Sequence, residues 1–195
     1  GGPFRVSTAD TTYEGQTVII ATGADTKWLN VPGEQEKIGR GVSSCAPCDA
    51  FFFKEKNVIV VGGGDSAMEE ALVLTKFAKK VIVVHRKDIL RASQIMQDRA
   101  RKNPKISFMF NSEIVEVLGE NKVTGAKIKD NKTNKVTEMP IDGIFVAIGH
   151  IPNSAIFKGI LTDDKGFIKV ADHYRTNIDG VFVAGDVHDY HYKQA

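Results

Sequence analysis

Two periodicities alternate along the chain. Val58-Ile59-Val60-Val61 is an unbroken β-branched run that stops at Gly62-Gly63-Gly64, the pattern of a strand buried on both faces. From Asp65 the period changes. Ala67, Ala71 and Leu74 fall at i, i+4 and i+7, with Leu72 and Phe77 widening the apolar stripe, which predicts an amphipathic helix over 66–78. Residues 81–84 repeat the buried-strand pattern. Strand, glycine turn, helix and strand form a βαβ unit, whose crossover is expected to be right-handed within a parallel sheet. A shorter helix is predicted over 93–102 and a third strand over 105–110.

Past the third strand the segments shorten. Residues 114–118, 123–129 and 136–139 are separated by Gly119-Glu120-Asn121 and Asp130-Asn131-Lys132, as in an antiparallel meander. Residues 144–148 form another apolar strand, closed by Gly149. At the start of the chain, an alternating stretch over 4–7, a polar turn around Asp10 and the apolar run before Ala21-Thr22-Gly23 read as a strand pair ending in a glycine turn. Residues 28–41 contain Pro32-Gly33 and have connector composition, and Pro152-Asn153 marks a second boundary. Strands are expected at 167–170 and at 181–184, the latter ending in Gly185-Asp186. The pattern is that of an α/β chain whose nucleotide-binding core, 28–149, is flanked by two pieces of a second domain, 1–27 and 150–195.

Composition narrows the chemistry. With 195 residues and 42% hydrophobic content, the chain can bury at least one full core. Its 26 basic and 24 acidic residues give a net charge of +2, too balanced to argue for a nucleic-acid or membrane surface. No apolar run approaches the roughly 18 residues of a membrane span, and no signal-peptide order opens the chain. The expectation is a cytoplasmic protein with neither nucleic acid nor membrane among its partners. Cys45 and Cys48 are the only cysteines, which excludes a four-cysteine zinc site, and the histidines offer no pair at finger spacing. No metal site is expected.

Gly62-x-Gly64-x-x-Ala67 fits the dinucleotide fingerprint, with the required strand before it and helix after it. The glycines permit a tight turn and close backbone approach to a pyrophosphate, and the helix N-terminus beyond Asp65 and Ser66 adds partial positive charge. A cofactor with a free ribose 2′-OH calls for an acid about 20 residues further on. This chain instead has His85-Arg86-Lys87 there, with Arg91 beyond, suited to a 2′-phosphate through charge-assisted hydrogen bonds; the bland alternative is a solvated basic loop. Cys45-Ala46-Pro47-Cys48-Asp49 is a C-x-x-C with an adjoining carboxyl group. Taken alone, it is as compatible with coincidence as with a redox pair. Beside a nicotinamide-nucleotide fold, the redox reading gains, with Asp49 placed to move a proton if burial raises its pKa. Hydride does not pass efficiently from nicotinamide to a disulfide, so a flavin is expected as mediator. Ala21-Thr22-Gly23 and Val183-Ala184-Gly185-Asp186 are two partial signs of one, although each alone could be an ordinary strand end.

These residues converge on a family. The stretches G-R-G-V-S-S-C-A-P-C-D, V-V-G-G-G-D-S-A-M-E-E-A, H-R-K-D-I-L-R-A, F-V-A-I-G-H-I-P-N and V-F-V-A-G-D-V resemble thioredoxin reductase of the low-molecular-weight, bacterial and archaeal type, in family order over essentially the whole chain. The resemblance implies a Rossmann-like NADPH-binding domain inserted into a FAD-binding domain. FAD takes hydride from NADPH and reduces the cysteine pair, which then reduces thioredoxin or a thioredoxin-like protein. It also implies a homodimer when full-length. Cys48 would face the flavin, Cys45 would attack the partner disulfide, and Asp49 would manage the proton. Gly62, Gly63, Gly64, Asp65, Ser66 and Ala67, with Ile148 and Gly149, match the NADPH backbone site, and His85, Arg86, Lys87 and Arg91 match the 2′-phosphate cluster. Thr22, Gly23, Gly185, Asp186, Lys193, Gln194 and Ala195 match flavin contacts.

Two positions depart from the family pattern. Ala50 stands where glycine usually follows the acid, which bears on the turn geometry, and Lys193 replaces the usual arginine before Gln-Ala. No glycine-rich βαβ precedes Ala21, so the sequence looks like an internal fragment with only part of the flavin site, expected to hold NADPH and to retain FAD poorly. The alternatives are the reductase component of an alkyl hydroperoxide system, in which Gly-Pro-Leu tends to stand in place of Ala50-Phe51-Phe52, and an NADP-binding module that catalyses nothing as supplied.

Overall fold

The computed structural model describes residues 2–189. The chain divides into two compact units, one made of Gly1–Thr26 with His150–Ala195 and the other of Lys27–Gly149. In chain order, the first unit opens with β1 (Phe4–Ser7), β2 (Thr12–Gly15), β3 (Val18–Ile20) and β4 (Ala24–Thr26). The second holds β5 (Val42–Ser43), α1 (Ala46–Asp49), β6 (Asn57–Val61), α2 (Asp65–Leu74), β7 (Lys80–His85) and α3 (Gln94–Lys102), then β8 (Ile106–Phe110), β9 (Ser112–Leu118), β10 (Gly125–Asp130), β11 (Val136–Pro140) and β12 (Gly143–Val146). The chain re-enters the first unit with β13 (His150–Pro152) and β14 (Val181–Val183).

The second unit is built on a five-stranded sheet in the order β5-β12-β6-β7-β8, with every neighbouring pair parallel. Strict alternation explains why its central strands read as continuous apolar runs. Val58, Val60, Val81 and Val83 point to one face and pack with Ala67, Ala71 and Leu74 of α2. Ile59, Val61, Ile82 and Val84 point to the other and pack with Ile114, Val117, Ala126 and Ile128 of the meander. The meander itself is antiparallel, in the order β11-β10-β9. Each fully buried aliphatic side chain contributes about 1.5–3 kcal/mol relative to exposure, so both faces must be covered for these strands to persist.

Helix α2 stops at Leu74, short of the expected 78. Thr75 Oγ1 turns back to the Leu72 carbonyl at 2.7 Å, and residues 76–78 close as tight turns on Val73 and Leu74. The carbonyls of Thr75 and Ala78 both accept from Lys105 Nζ at 2.9 Å. A cation thus satisfies the helix end that the hydrophobic stripe alone would have prolonged.

The first unit differs from expectation in its pairing. β1 pairs with β2, whereas β3 pairs in parallel with β14. The short Thr8–Thr11 turn, closed by a Thr8 N–H to Thr11 carbonyl bond at 2.8 Å, returns the chain onto 12–15 before the apolar run begins. β4 and β13 form a further antiparallel pair that no hydrophobic pattern announces. Residues 167–170 form no strand: Ile168 makes one isolated bridge to Thr162, and Asp163 Oδ1 instead takes the Lys165 and Phe167 amides in a turn. Among the described residues, no helix is long and apolar enough to cross a membrane.

Candidate functional site

The glycine turn leaves β6 at the carboxyl edge of the parallel sheet, where α/β folds place their ligands. A Cβ on Gly62 would lie 2.4 Å from the Ala147 carbonyl oxygen and 2.7 Å from the Ala67 Cβ. A Cβ on Gly63 would fall within 2.3–2.8 Å of three atoms of the His85 imidazole. At Gly64 the same test meets nothing within 4 Å. The first two glycines are therefore dictated by protein packing, and the third keeps an open face. α2 starts directly after Gly64, and no side chain of that residue caps it.

The basic loop after β7 is tied to this turn. The Gly63 carbonyl accepts from the amides of Arg91 at 2.6 Å and Ala92 at 3.0 Å. Asp65 Oδ1 accepts from both the amide and the hydroxyl of Ser93 at 2.8 Å. His85 Nε2–H donates to the Ile89 carbonyl at 3.1 Å. His85 is buried, and burial holds its pKa below the ordinary histidine value, opposed by the Ile89 hydrogen bond and reinforced by Arg91, Arg86 and Lys87. The imidazole therefore packs as a neutral ring behind the turn. Arg86, Lys87 and Arg91 are exposed, and none is in a salt bridge among the described residues.

A cavity of about 560 Å³ adjoins the turn, lined by Val61, Gly62, Gly63, His85, Arg86, Arg91 and Ile148. Gly149 lies at the exit of β12, at φ 114° with no neighbour near its Cβ position, and its carbonyl accepts from the Lys27 amide at 3.0 Å. The residues present suit a dinucleotide with an extra phosphate: a bare glycine face, a helix start without a side-chain cap, and Arg86 and Arg91 in the lining, with exposed Lys87 next to Arg86 in the chain. The sequence reading missed two lining segments, 27–31 and 112–115. The first looks like a connector, yet buried Glu34 accepts from the amides of Leu29 at 2.9 Å and Asn30 at 2.6 Å. The Pro32-Gly33-Glu34 run was its one available signal.

Cys45 and Cys48 form a disulfide with a Cα–Cα distance of 5.3 Å. Cys45 caps α1, its Sγ accepting from the Cys48 amide at 3.3 Å. The next amide, that of Ala46, donates to the Glu70 carboxylate of α2. Ser43 Oγ donates to Asp49 Oδ2 at 2.6 Å and accepts from the Cys45 amide at 3.1 Å. Asp49 is only half-buried, and the serine holds its carboxylate two hydrogen bonds from the Cys45 backbone. Cys48 is exposed and Cys45 half-buried. Ala50 does not disturb the turn. It has φ −55° and ψ −31°, right-handed values open to any L-residue, and its methyl is buried against the helix-side core.

In the first unit, the two partial flavin signs come together. The parallel pairing of β3 with β14 brings 21–23 beside 184–186, and the Ala184 amide donates to the Ile20 carbonyl at 2.9 Å. Thr22 Oγ1 donates to the Asn153 carbonyl at 2.7 Å, and Asn153 Nδ2 donates to the Thr22 carbonyl at 3.1 Å. Gly23 and Gly185 have positive φ and open space where a Cβ would stand. Asp186 lies in the 3-10 turn Gly185–Val187. Bare backbone and a carboxylate at adjacent strand ends fit the hydroxyl-bearing part of a flavin nucleotide. Lys193, Gln194 and Ala195 lie outside the described residues. Among the described residues, no group of three or more His, Cys, Asp and Glu could hold a metal ion.

Fold and site together define an α/β protein that pairs a nucleotide turn with a close disulfide. A comparison with protein families matches residues 3–195 to the family described as pyridine nucleotide-disulphide oxidoreductase, and the chain belongs to that family. It is 52% identical over 189 residues to a thioredoxin reductase of Streptomyces clavuligerus, covering 96% of this chain and 59% of the relative. It is 51% identical to a thioredoxin reductase of Rickettsia prowazekii, with 99% and 64% covered. A crystal structure of Lactococcus lactis thioredoxin reductase superposes with a TM-score of 0.85 at 44% identity, over 97% of this chain and 63% of that one. The chain thus spans about three fifths of the length of these relatives. Family membership implies use of a flavin and a nicotinamide nucleotide.

Proposed function

We propose that the chain acts as a thioredoxin-disulfide reductase, passing electrons from NADPH through FAD to the Cys45–Cys48 disulfide and on to thioredoxin. The supporting observation is that the disulfide and the glycine turn with its three free cations belong to one compact unit, joined through α1 and α2 by the Ala46 to Glu70 hydrogen bond. Bound NADPH and FAD would supply a hydride equivalent, two electrons at a time. Their placement supports the following roles for the chain's own residues. Gly62, Gly63, Gly64 and Ala67, with the Asp65 and Ser66 end of α2, receive the pyrophosphate. Arg86, Lys87 and Arg91 take the 2′-phosphate, while His85 and Asp65 brace the loop that carries them. Thr22, Gly23, Gly185 and Asp186 hold the flavin nucleotide.

Once the pair is reduced, the Cys45 thiolate attacks one sulfur of the thioredoxin disulfide, forming a mixed disulfide and expelling a thiolate. The Cys48 thiolate then attacks Cys45 Sγ, which re-forms the internal disulfide and expels the second thiolate. Two electrons and two protons pass to thioredoxin. Asp49, oriented by Ser43, holds or releases the proton beside the pair. Cys48 would be the sulfur that takes electrons from the flavin, which leaves Cys45 for the partner disulfide. In the flavin-loaded enzyme, each NADPH consumed should yield two new thiols on thioredoxin. NADPH oxidation with no thiols formed would overturn this reading.

A further inference from the structure

The basic loop is anchored at both ends. The ladder between β7 and β8 closes with His85 opposite Phe110, and Arg86 and Lys87 leave the sheet directly after it. The far end of the loop hangs on the Gly63 carbonyl through the Arg91 and Ala92 amides. The near end is held by the meander, where the sequence shows only a break at Asp130-Asn131-Lys132. The Asn111 amide donates to the Lys87 carbonyl at 3.1 Å, and Asn131 Nδ2 donates to the Arg86 carbonyl at 3.4 Å. The two asparagines are themselves joined, the Asn131 amide donating to the Asn111 carbonyl at 2.7 Å. Asn111 sits at φ 50°, in the left-handed region that asparagine enters more readily than most side chains. Asp130 Oδ1 accepts from the amides of Lys132 and Thr133, both at 2.8 Å, which closes the turn that carries Asn131.

Asn131 is the costly member of this clasp. Its Oδ1 is buried and has no hydrogen-bond partner among the described residues. Turning the amide over would set that oxygen against the Arg86 carbonyl oxygen, so Nδ2 is the atom that faces the loop. A buried acceptor without a partner opposes folding, and a 3.4 Å bond offsets little of that. Stability therefore does not account for an asparagine at this position, whereas a loop held in place for its cations does. We infer that Asn131 is a positioning residue for the 2′-phosphate cluster: from the turn between β10 and β11 it fixes the backbone of Arg86 and, through Asn111, that of Lys87, so that both side chains meet the phosphate from a set strand end. The inference rests on the assignment of Arg86, Lys87 and Arg91 to that phosphate. It adds that the preference for NADPH over NADH depends on a residue of the meander as well as on the cations.

The test is calorimetric titration of the unaltered protein and of Asn131→Ala with NADPH and with NADH. In the variant, NADPH affinity should fall about 3- to 10-fold, within the range of couplings between neighbouring residues. NADH, which lacks the phosphate, should bind as before. The melting temperature without nucleotide should not fall, because the orphaned oxygen leaves together with the amide. In an Arg86→Ala background, Asn131→Ala should cost NADPH much less, since the main side chain it positions is gone. If Asn131→Ala keeps the full preference for NADPH, weakens both nucleotides equally, or adds its whole loss to that of Arg86→Ala, the positioning role is overturned, and a preference for NADPH in the unaltered protein leaves the phosphate assignment standing. If the unaltered protein binds both nucleotides equally, the phosphate assignment falls, and the positioning role falls with it.

Discussion

The two units distribute stability and chemistry differently. The unit Lys27–Gly149 holds two hydrophobic clusters of seventeen and thirteen buried residues, one on each face of a five-stranded sheet. Among the described residues, the other unit has one cluster of five, around Ile20, Val181 and Val183, and its strands occur only as two-stranded pairs. Two-stranded pairs are marginal by themselves in water. The larger unit can therefore support features that cost stability: glycines pressed against neighbours, a neutral buried histidine, and clustered exposed cations. In the smaller unit, precision comes from individual hydrogen bonds between segments distant in the chain, such as the reciprocal Thr22–Asn153 pair.

The contrast is sharpest where chemistry can be removed from the large unit without loosening it. Cys45→Ser should reduce thioredoxin turnover to the uncatalysed background while flavin reduction and unfolding stability remain near normal. A stopped-flow trace of flavin reduction beside a thiol assay checks both, and near-normal turnover would refute the dithiol mechanism.

Next in size is cofactor choice. Replacing NADPH by NADH would remove the partner proposed for Arg86, Lys87 and Arg91, and at about 1.5–3 kcal/mol per charge-assisted hydrogen bond, two lost bonds should give about a 100-fold or greater preference. Arg86→Ala with Arg91→Ala should compress that preference by weakening NADPH alone. Calorimetric titration of both nucleotides is decisive, and equal affinities in the unaltered protein would remove the cluster's assignment.

A packing test compares the units directly. Gly63→Ala drives a methyl into the His85 ring and should cost about 1–3 kcal/mol, as other overpacked cores do, and weaken nucleotide binding. Hydrogen exchange should place the amides of β6 and β7 among the slowest, with those of β3 and β14 exchanging earlier through local opening. Uniform protection across both units would break the comparison.

The smallest effect is on pH. Because burial depresses the His85 pKa, the unfolded chain binds the proton more readily. The contribution of the neutral ring is fully present above the unfolded value near 6.5 and is lost as pH falls through the folded value. His85→Gln retains a donor for Ile89 without a titrating ring, so its melting temperature should fall less than the wild type's between neutral and mildly acid pH. Parallel melting curves would show that His85 does not titrate in this way.

Much of the second unit was legible in the sequence because its signals are local. Valine runs, a change to helical spacing and a glycine turn lie within a few residues of one another, and together they place β6, α2 and β7. The nucleotide turn, the basic strand end and the cysteine pair were legible for the same reason. What only the tertiary structure decided depends on residues distant in the chain. The pairing of β3 with β14 joins Val18–Ile20 to a strand more than 150 residues later, so the strand-pair reading near the N-terminus chose the wrong partner. The early end of α2 depends on Lys105, thirty residues downstream. His85 belongs to a basic motif by sequence, but the missing side chain of Gly63 turns its ring inward. Connector-like residues 27–31 became cavity wall because Glu34 captures their amides. Sequence determined which segments could become strands, helix and turn, since propensity and periodicity act over a few residues; burial and hydrogen-bond demand, satisfied across the whole chain, decided which of them meet.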